Sequence, residues 1–212
     1  MMQVVFHLGA HVTDEARLVK RLKQNDAMLV ERGIVVPWPA SFRTNLRDAA
    51  LHLRGAQASA HQTETLLDAI TPIDHIARLI LSSSNLTCVP NRIISPEGFY
   101  AMVPGKIMPY ANLFPQAEVE FHMALVNPAT LIPALLARSE NASYESLMQD
   151  HHPMAMRWLP MIREMVAQAR GRRVVIWCRE DTPMIWPEVL RTVAGLPMAA
   201  EMAGDDAILE QI

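Results

Sequence analysis

Gln3-Val4-Val5-Phe6-His7-Leu8-Gly9-Ala10-His11 is the stretch that decides the fold. QVVFHL is a short, nearly continuous apolar run rich in β-branched residues, the pattern of a strand covered on both faces. Gly9-Ala10-His11 turns out of it. Thr13 then stands where a helix N-cap belongs, with Asp14 and Glu15 in the expected first turn. Leu18, Leu22 and Leu29 carry an apolar helical face on to about Glu31, and Gly33 closes it.

The same order of strand and helix repeats along the chain. Ile34-Val35-Val36, ahead of Pro37, reads as a second strand, and 44–70 as two helices broken near Gly55. RLILS at 78–82 and AEVEFHMAL at 117–125 read as strands. Helical patterns follow at 129–138, 144–151 and 154–169, then a strand at 173–178 and a helix at 183–194 with Gly195 at its end. Strands separated by helices imply a three-layer α/β/α fold with a mainly parallel central sheet. Its strand C-termini would lie on one edge, carrying Gly9–Thr13, Ser82–Asn85, Val126–Pro128 and Arg179–Thr182. Sheets of this kind bind ligands at that edge, so the chemistry is expected there.

Composition sets the bounds. The 212 residues, half of them apolar and 19% charged, suit one domain over 1–212 with a sizeable core. A net charge of −3 argues against a nucleic-acid partner. Cys88 and Cys178 form neither a disulfide framework nor a zinc spacing, so no metal is expected. No basic leader and no apolar run of membrane length is visible, which points to a cytoplasmic protein with no membrane association. The 14 methionines suit core filling or a partner surface, and a homodimer is compatible with them.

FHLGAHVTDEARLVKRL, beginning at Phe6, resembles the opening of bacterial sulfotransferase-family proteins. There a strand enters a loop of the form His-x-Gly-x-His-Lys-Thr-Gly-Thr-Thr and then a helix. RLILSSSNL resembles their strand ending in Ser-Ser-Glu, and LFPQAEVEFHMALVNPATLIPALLA their segment around Arg-Asn-Pro and a later Ser. CREDTPMIWPEVLRTVAGLP resembles their last strand and helix. The four pieces run in order over most of the chain. They imply a sulfotransferase-like fold related to the P-loop NTPases. They also imply 3′-phosphoadenosine 5′-phosphosulfate as sulfuryl donor, with a hydroxyl or amine acceptor.

Carried over by position, the donor-binding pattern is depleted. The family Lys falls on Val12 and its Gly-Thr-Thr on Asp14-Glu15-Ala16, although Thr13 is kept. The Arg of Arg-Asn-Pro falls on Val126, the later Ser on Ala134, and the Glu of Ser-Ser-Glu on Ser84, while Asn127 and Pro128 remain. Two carboxylates in the first helical turn repel an anion, each by about 4 kcal/mol at ~4 Å before screening. The cationic partners, each worth about 1.5–3 kcal/mol, are missing. The expectation is therefore a degenerate donor site and no firmly assigned cofactor. The role would be binding or scaffolding, with an unidentified small molecule or a protein as partner. The alternative is a working sulfotransferase. It would use Gly9, Ala10, His11, Thr13 and Asn127 toward the donor, with His11, Glu180 or Asp181 as base. It needs cations from elsewhere, Arg43, Arg47 or Lys106, to converge on Gly9–Thr13. A P-loop hydrolase or kinase ranks last, since G-x-x-x-x-G-K-[ST] is absent.

The remaining candidates read first as structure. His7 and His11 straddle a strand and a loop, where ring hydrogen bonds hold the turn. His151-His152 ahead of Pro153 reads as a surface turn. Ser82-Ser83-Ser84 lacks a nucleophile elbow and an evident base, so hydroxyls capping the next turn are expected. Glu180-Asp181-Thr182-Pro183 suits a helix start, with Thr182 as N-cap. Trp158, Trp177 and Trp186 suit the core. Arg170-Gly171-Arg172-Arg173 reads as a solvated helix end, and Lys20, Arg21 and Lys23 as a polar helix face.

Overall fold

A computed structural model describes residues 1–13, 16–138 and 143–204. Its five-stranded sheet is built from β1 (Gln3–His7), β2 (Ile34–Val35), β3 (Arg78–Ser82), β6 (Glu118–Leu125) and β7 (Val174–Cys178). The spatial order is β2-β3-β1-β6-β7, and every pairing is parallel. After β1 the chain runs to one side for β2 and β3, then crosses to the other for β6 and β7. β1 is thus the central strand, at the point where such sheets open a crevice at their C-terminal edge. A small hairpin of β4 (Ile94–Ser95) and β5 (Gly98–Phe99) stands apart from the sheet.

Alternate side chains of each strand feed two apolar layers, as the pleat requires. Val4, Phe6, Leu79, Leu81, Phe121 and Met123 face one way. They meet α3 (Pro39–Leu53), α4 (Ala60–Ile70), α5 (Pro104–Asn112), α6 (Pro128–Arg138) and α8 (Trp158–Ala169). Val5 and Ile80 face the other way, against α1 (Arg17–Gln24), α2 (Asp26–Glu31) and α9 (Thr182–Ala194). A short α7 (Tyr144–Met148) completes the set among the described residues. None of the helices is long and apolar enough to cross a membrane.

Several local expectations need correction. Thr13 caps no helix: its hydroxyl donates to the Ala10 carbonyl at 2.6 Å, and α1 begins at Arg17 behind Ala16, whose φ is 63°. Asp14 and Glu15 lie outside the described residues. The single helix expected up to Glu31 is two, divided at Asn25, whose side-chain amide donates to the Arg21 and Ala203 carbonyls. An Asn that bonds backbone in this way competes with helix continuation. Thr182 is the first residue of α9 rather than its cap, the cap position falling to Asp181. From the sequence no helix or strand is assigned between Ser84 and Asn112, whereas the structure holds two 3₁₀ turns, the hairpin and α5 there.

A cleft at the C-terminal edge of the central strands

The segment after β1 and the segment after β3 together line a cleft of about 470 Å³ at the C-terminal edge of the sheet. Ala10, His11 and Val12 form one wall, Ser82–Ser84 the floor, and Pro39, Pro90, Leu135 and Arg138 the rim. Parallel pairing produces this geometry directly. His7 and Ser82 are opposite one another in the β1–β3 register, so both strands end at the same level.

The first loop is held by its own hydrogen bonds. Leu8 N–H donates to the His122 carbonyl and Ala10 N–H to that of Ala124, both at 2.8 Å. His11 N–H donates to the Tyr100 hydroxyl at 3.0 Å, and the same hydroxyl lies 2.8 Å from His11 Nδ1. Burial pushes the Tyr100 phenol far above its ordinary range, so it keeps its proton. Nε2 faces the acceptor Asn85 Oδ1 at 3.4 Å and carries the ring hydrogen, so Nδ1 accepts from the Tyr100 hydroxyl. Burial lowers the His11 pKa, with the bonds to Asn85 and the Cys88 backbone acting the other way. His11 is thus a neutral imidazole whose basic nitrogen is already occupied. Val12 has a φ of 65° and lines the cleft. Gly9 has a φ of 48°, and an added Cβ would lie 3.5 Å from both His7 Cε1 and Thr13 Oγ1.

Ser82 departs from the expected capping role. Its hydroxyl lies 2.7 Å from His7 Nδ1, which gives it the basic partner that the sequence did not reveal. The only signal was positional: both residues end apolar strands that proved to be neighbours in register. His7 stacks on Trp177, with ring centroids 5.3 Å apart and planes 7° from parallel. Burial, aided by the His122 ring, lowers the His7 pKa to about 3. Behind it, His122 Nε2 lies 2.9 Å from Glu120, which receives two further bonds from Arg78. Burial alone would raise the Glu120 pKa, but hydrogen bonds from His122 and Arg78 and the Arg78 charge bring it to about 2.

The other candidates are not gathered at this cleft. Asn127 lines a separate one with Tyr144, Met154 and Met156, and its N–H donates to Glu180 Oε1 at 2.8 Å. Glu180 thereby closes a loop-to-loop contact, and Asp181 stands at the α9 cap position without a side-chain capping bond. Val126 is buried, its carbonyl taken by Trp158 Nε1. Arg43, Arg47 and Lys106 line neither the first loop nor its cleft. They line, with Arg92, another cleft of about 420 Å³ to which residues 85–89 also contribute. Among the described residues, no group of His, Cys, Asp and Glu is arranged to hold a metal ion.

No family model and no curated protein matches the chain. Among solved structures, it is similar to a sulfotransferase from Alicyclobacillus acidocaldarius at 16% identity and a TM-score of 0.46, over 98% of this chain and 88% of that one. It is also similar to two structures of retinol dehydratase, one with androsterone and inactive cofactor PAP, the other with retinol and PAP. These stand at 10% and 9% identity, each with a TM-score of 0.39. The chain spans 62% and 63% of their lengths, less than two thirds in each case. The three-layer architecture itself rests on the strand order and the two helical layers described above.

Proposed function

We propose that this chain is a sulfotransferase-like binding protein that has lost the phosphosulfate cradle and kept an open ligand cleft. One observation carries the reading: two backbone donors at the centre of the first loop, those of Ala10 and His11, are spent within the protein. A phosphate cradle works by presenting unengaged N–H groups and a helix N-terminus to the anion. Here the N–H groups of Ala10 and His11 are bonded to Ala124 and Tyr100. Thr13 is turned back on Ala10, and Val12 offers no cation. What remains is a pocket walled by Ala10, Val12 and the His11 ring, with hydroxyls on its floor and one guanidinium at its rim. That lining suits a small, weakly charged ligand better than a nucleotide with several phosphates.

A second reading, a working transferase of sulfuryl groups, is favoured by Arg138. It lines the same cleft as Ala10–Val12 and could stand in for the missing lysine. Titration calorimetry with adenosine 3′,5′-bisphosphate, the spent donor, separates the two when run on the native chain and on Arg138→Ala. Binding-protein status predicts identical isotherms for both proteins. Micromolar binding by the native chain that disappears in Arg138→Ala would overturn it and restore sulfuryl transfer.

A further inference from the structure

The neighbouring cleft carries four cations and no carboxylate. Arg43 and Arg47 reach it from α3, Arg92 from the turn before the hairpin, and Lys106 from α5, with Asn85 and Thr87 between them. Exposed cations are ordinarily solvated singly or paired along a helix face. These differ in three respects. They come from three separate elements and line one concavity. Apart from the exposed Arg47–Asp48 pair, no hydrogen bond or ion pair engages these side chains among the described residues. And the local energetics oppose their positions. Arg43 and Arg47 are four residues apart on one helix, a spacing at which like charges repel. Lys106 is the third residue of α5, where the helix dipole disfavours a cation, and it is half-buried. In a chain of net charge −3, such a concentration of positive charge is the exception.

We infer that this cleft binds a small polyanion carrying phosphate or sulfate groups. Three guanidiniums supply planar, paired donors that match tetrahedral oxyanions, and Lys106 supplies a compact charge beside them. The α5 N-terminus adds its positive end to the same field. The cleft's volume of about 420 Å³ accommodates a small molecule rather than a polymer. Asn85 lines it, and the Asn85 side-chain oxygen faces His11 Nε2 at 3.4 Å. A ligand engaging the Asn85 amide would therefore act directly on a wall of the first-loop cleft. The inference is independent of whether donor chemistry survives in that first cleft.

The test titrates the purified chain with inorganic pyrophosphate and, separately, with inorganic sulfate, both at fixed low ionic strength. Pyrophosphate is expected to bind saturably. Affinity should fall roughly tenfold or more in Lys106→Ala, and again in Arg43→Ala/Arg47→Ala, because each lost charge-assisted bond is worth about a factor of ten. Arg163→Ala, which removes an exposed cation of α8 that lines neither cleft, should bind as the native chain does. Thermal midpoints of the cation variants should be unchanged or higher, since like-charge repulsion is relieved, so weaker binding cannot be assigned to misfolding. Tighter sulfate than pyrophosphate binding would assign the site to sulfate esters, and the reverse order to phosphate esters. Unsaturable heats, equal affinity in every variant, or an equal loss in Arg163→Ala would each overturn the proposal.

Discussion

Val12 sits at a φ of 65°, a left-handed conformation that costs an L residue about 1–2 kcal/mol and is worst for β-branched side chains. The loop holds it there through the bonds that engage Ala10, His11 and Thr13 on either side. Asn tolerates this region because its short amide bonds to nearby backbone. Val12→Asn is therefore expected to raise stability by about 1 kcal/mol, read as a higher urea midpoint with an unchanged slope. A lower midpoint would mean that the Val12 methyls contribute more by packing than the backbone loses by strain. The strain was not legible in the sequence, since Val is an ordinary residue to find between His11 and Thr13. Nor was the pairing of His7 with Ser82, which depends on a strand register that neither segment specifies alone.

Four elements are fastened together by a buried ion pair. Arg78, on β3, places Nη2 at 3.1 Å from Glu120 Oε2 on β6, across β1. Its other donors reach Gln3 on β1 and the Val193 carbonyl of α9. Both charged groups are almost fully buried, so attraction competes with a large desolvation cost, and removing one partner is far worse than removing both. Glu120→Gln should accordingly lose about 3–5 kcal/mol, whereas Arg78→Met with Glu120→Leu should recover much of it. Denaturant unfolding of the single and double variants checks this, and a double variant as unstable as the single would refute it. Gly195 belongs to the same arrangement. It closes α9 at a φ of 72°, and an added Cβ would come within 2.9 Å of Arg78 Cδ. The sequence marked Gly195 as a helix end correctly, but not the guanidinium stem that fills the space above it. The strands were the most legible elements, because short apolar runs between turn residues have few alternative readings. Helix starts were the least legible: Thr13 and Thr182 both have a cap's side chain, yet the hydroxyl of each bonds a backbone carbonyl instead.

At the scale of the whole molecule, periodicity specified the layers, and the 84–112 region escaped it. From 84 to 100 it packs through single anchors, Leu86, Ile93, Ile94, Phe99 and Tyr100, separated by turns, so no period of 2 or 3.6 develops there. Val103, Ile107, Tyr110 and Ala111 do carry a helical period into α5, masked in the sequence by Pro104 and Pro109. The whole region supplies Tyr100 and Asn85 to His11 and Arg92 and Lys106 to the basic cleft, which is why the site was less legible than the sheet. The buried histidines give the molecule a global signature. The His7 pKa is lowered to about 3, and those of His11 and His122 are lowered as well, burial being the main cause in each. In the unfolded chain these groups return to about 6.5. As pH falls below that value the unfolded state takes up protons that the native state refuses, so stability falls with pH. For His7 alone the loss reaches on the order of 2–3 kcal/mol by pH 4.5. Glu120 acts in the same direction at lower pH: its pKa is about 2 folded against 4.5 unfolded, so its contribution disappears as pH drops through that window. Urea midpoints measured from pH 7.5 to 4.5 should therefore decline steadily, starting near pH 6.5. A flat profile would mean that the His7 ring opens to solvent or gains a counter-charge when protonated. The packing of His7 between Ser82 and Trp177 would then have to be looser than its stacking distance implies.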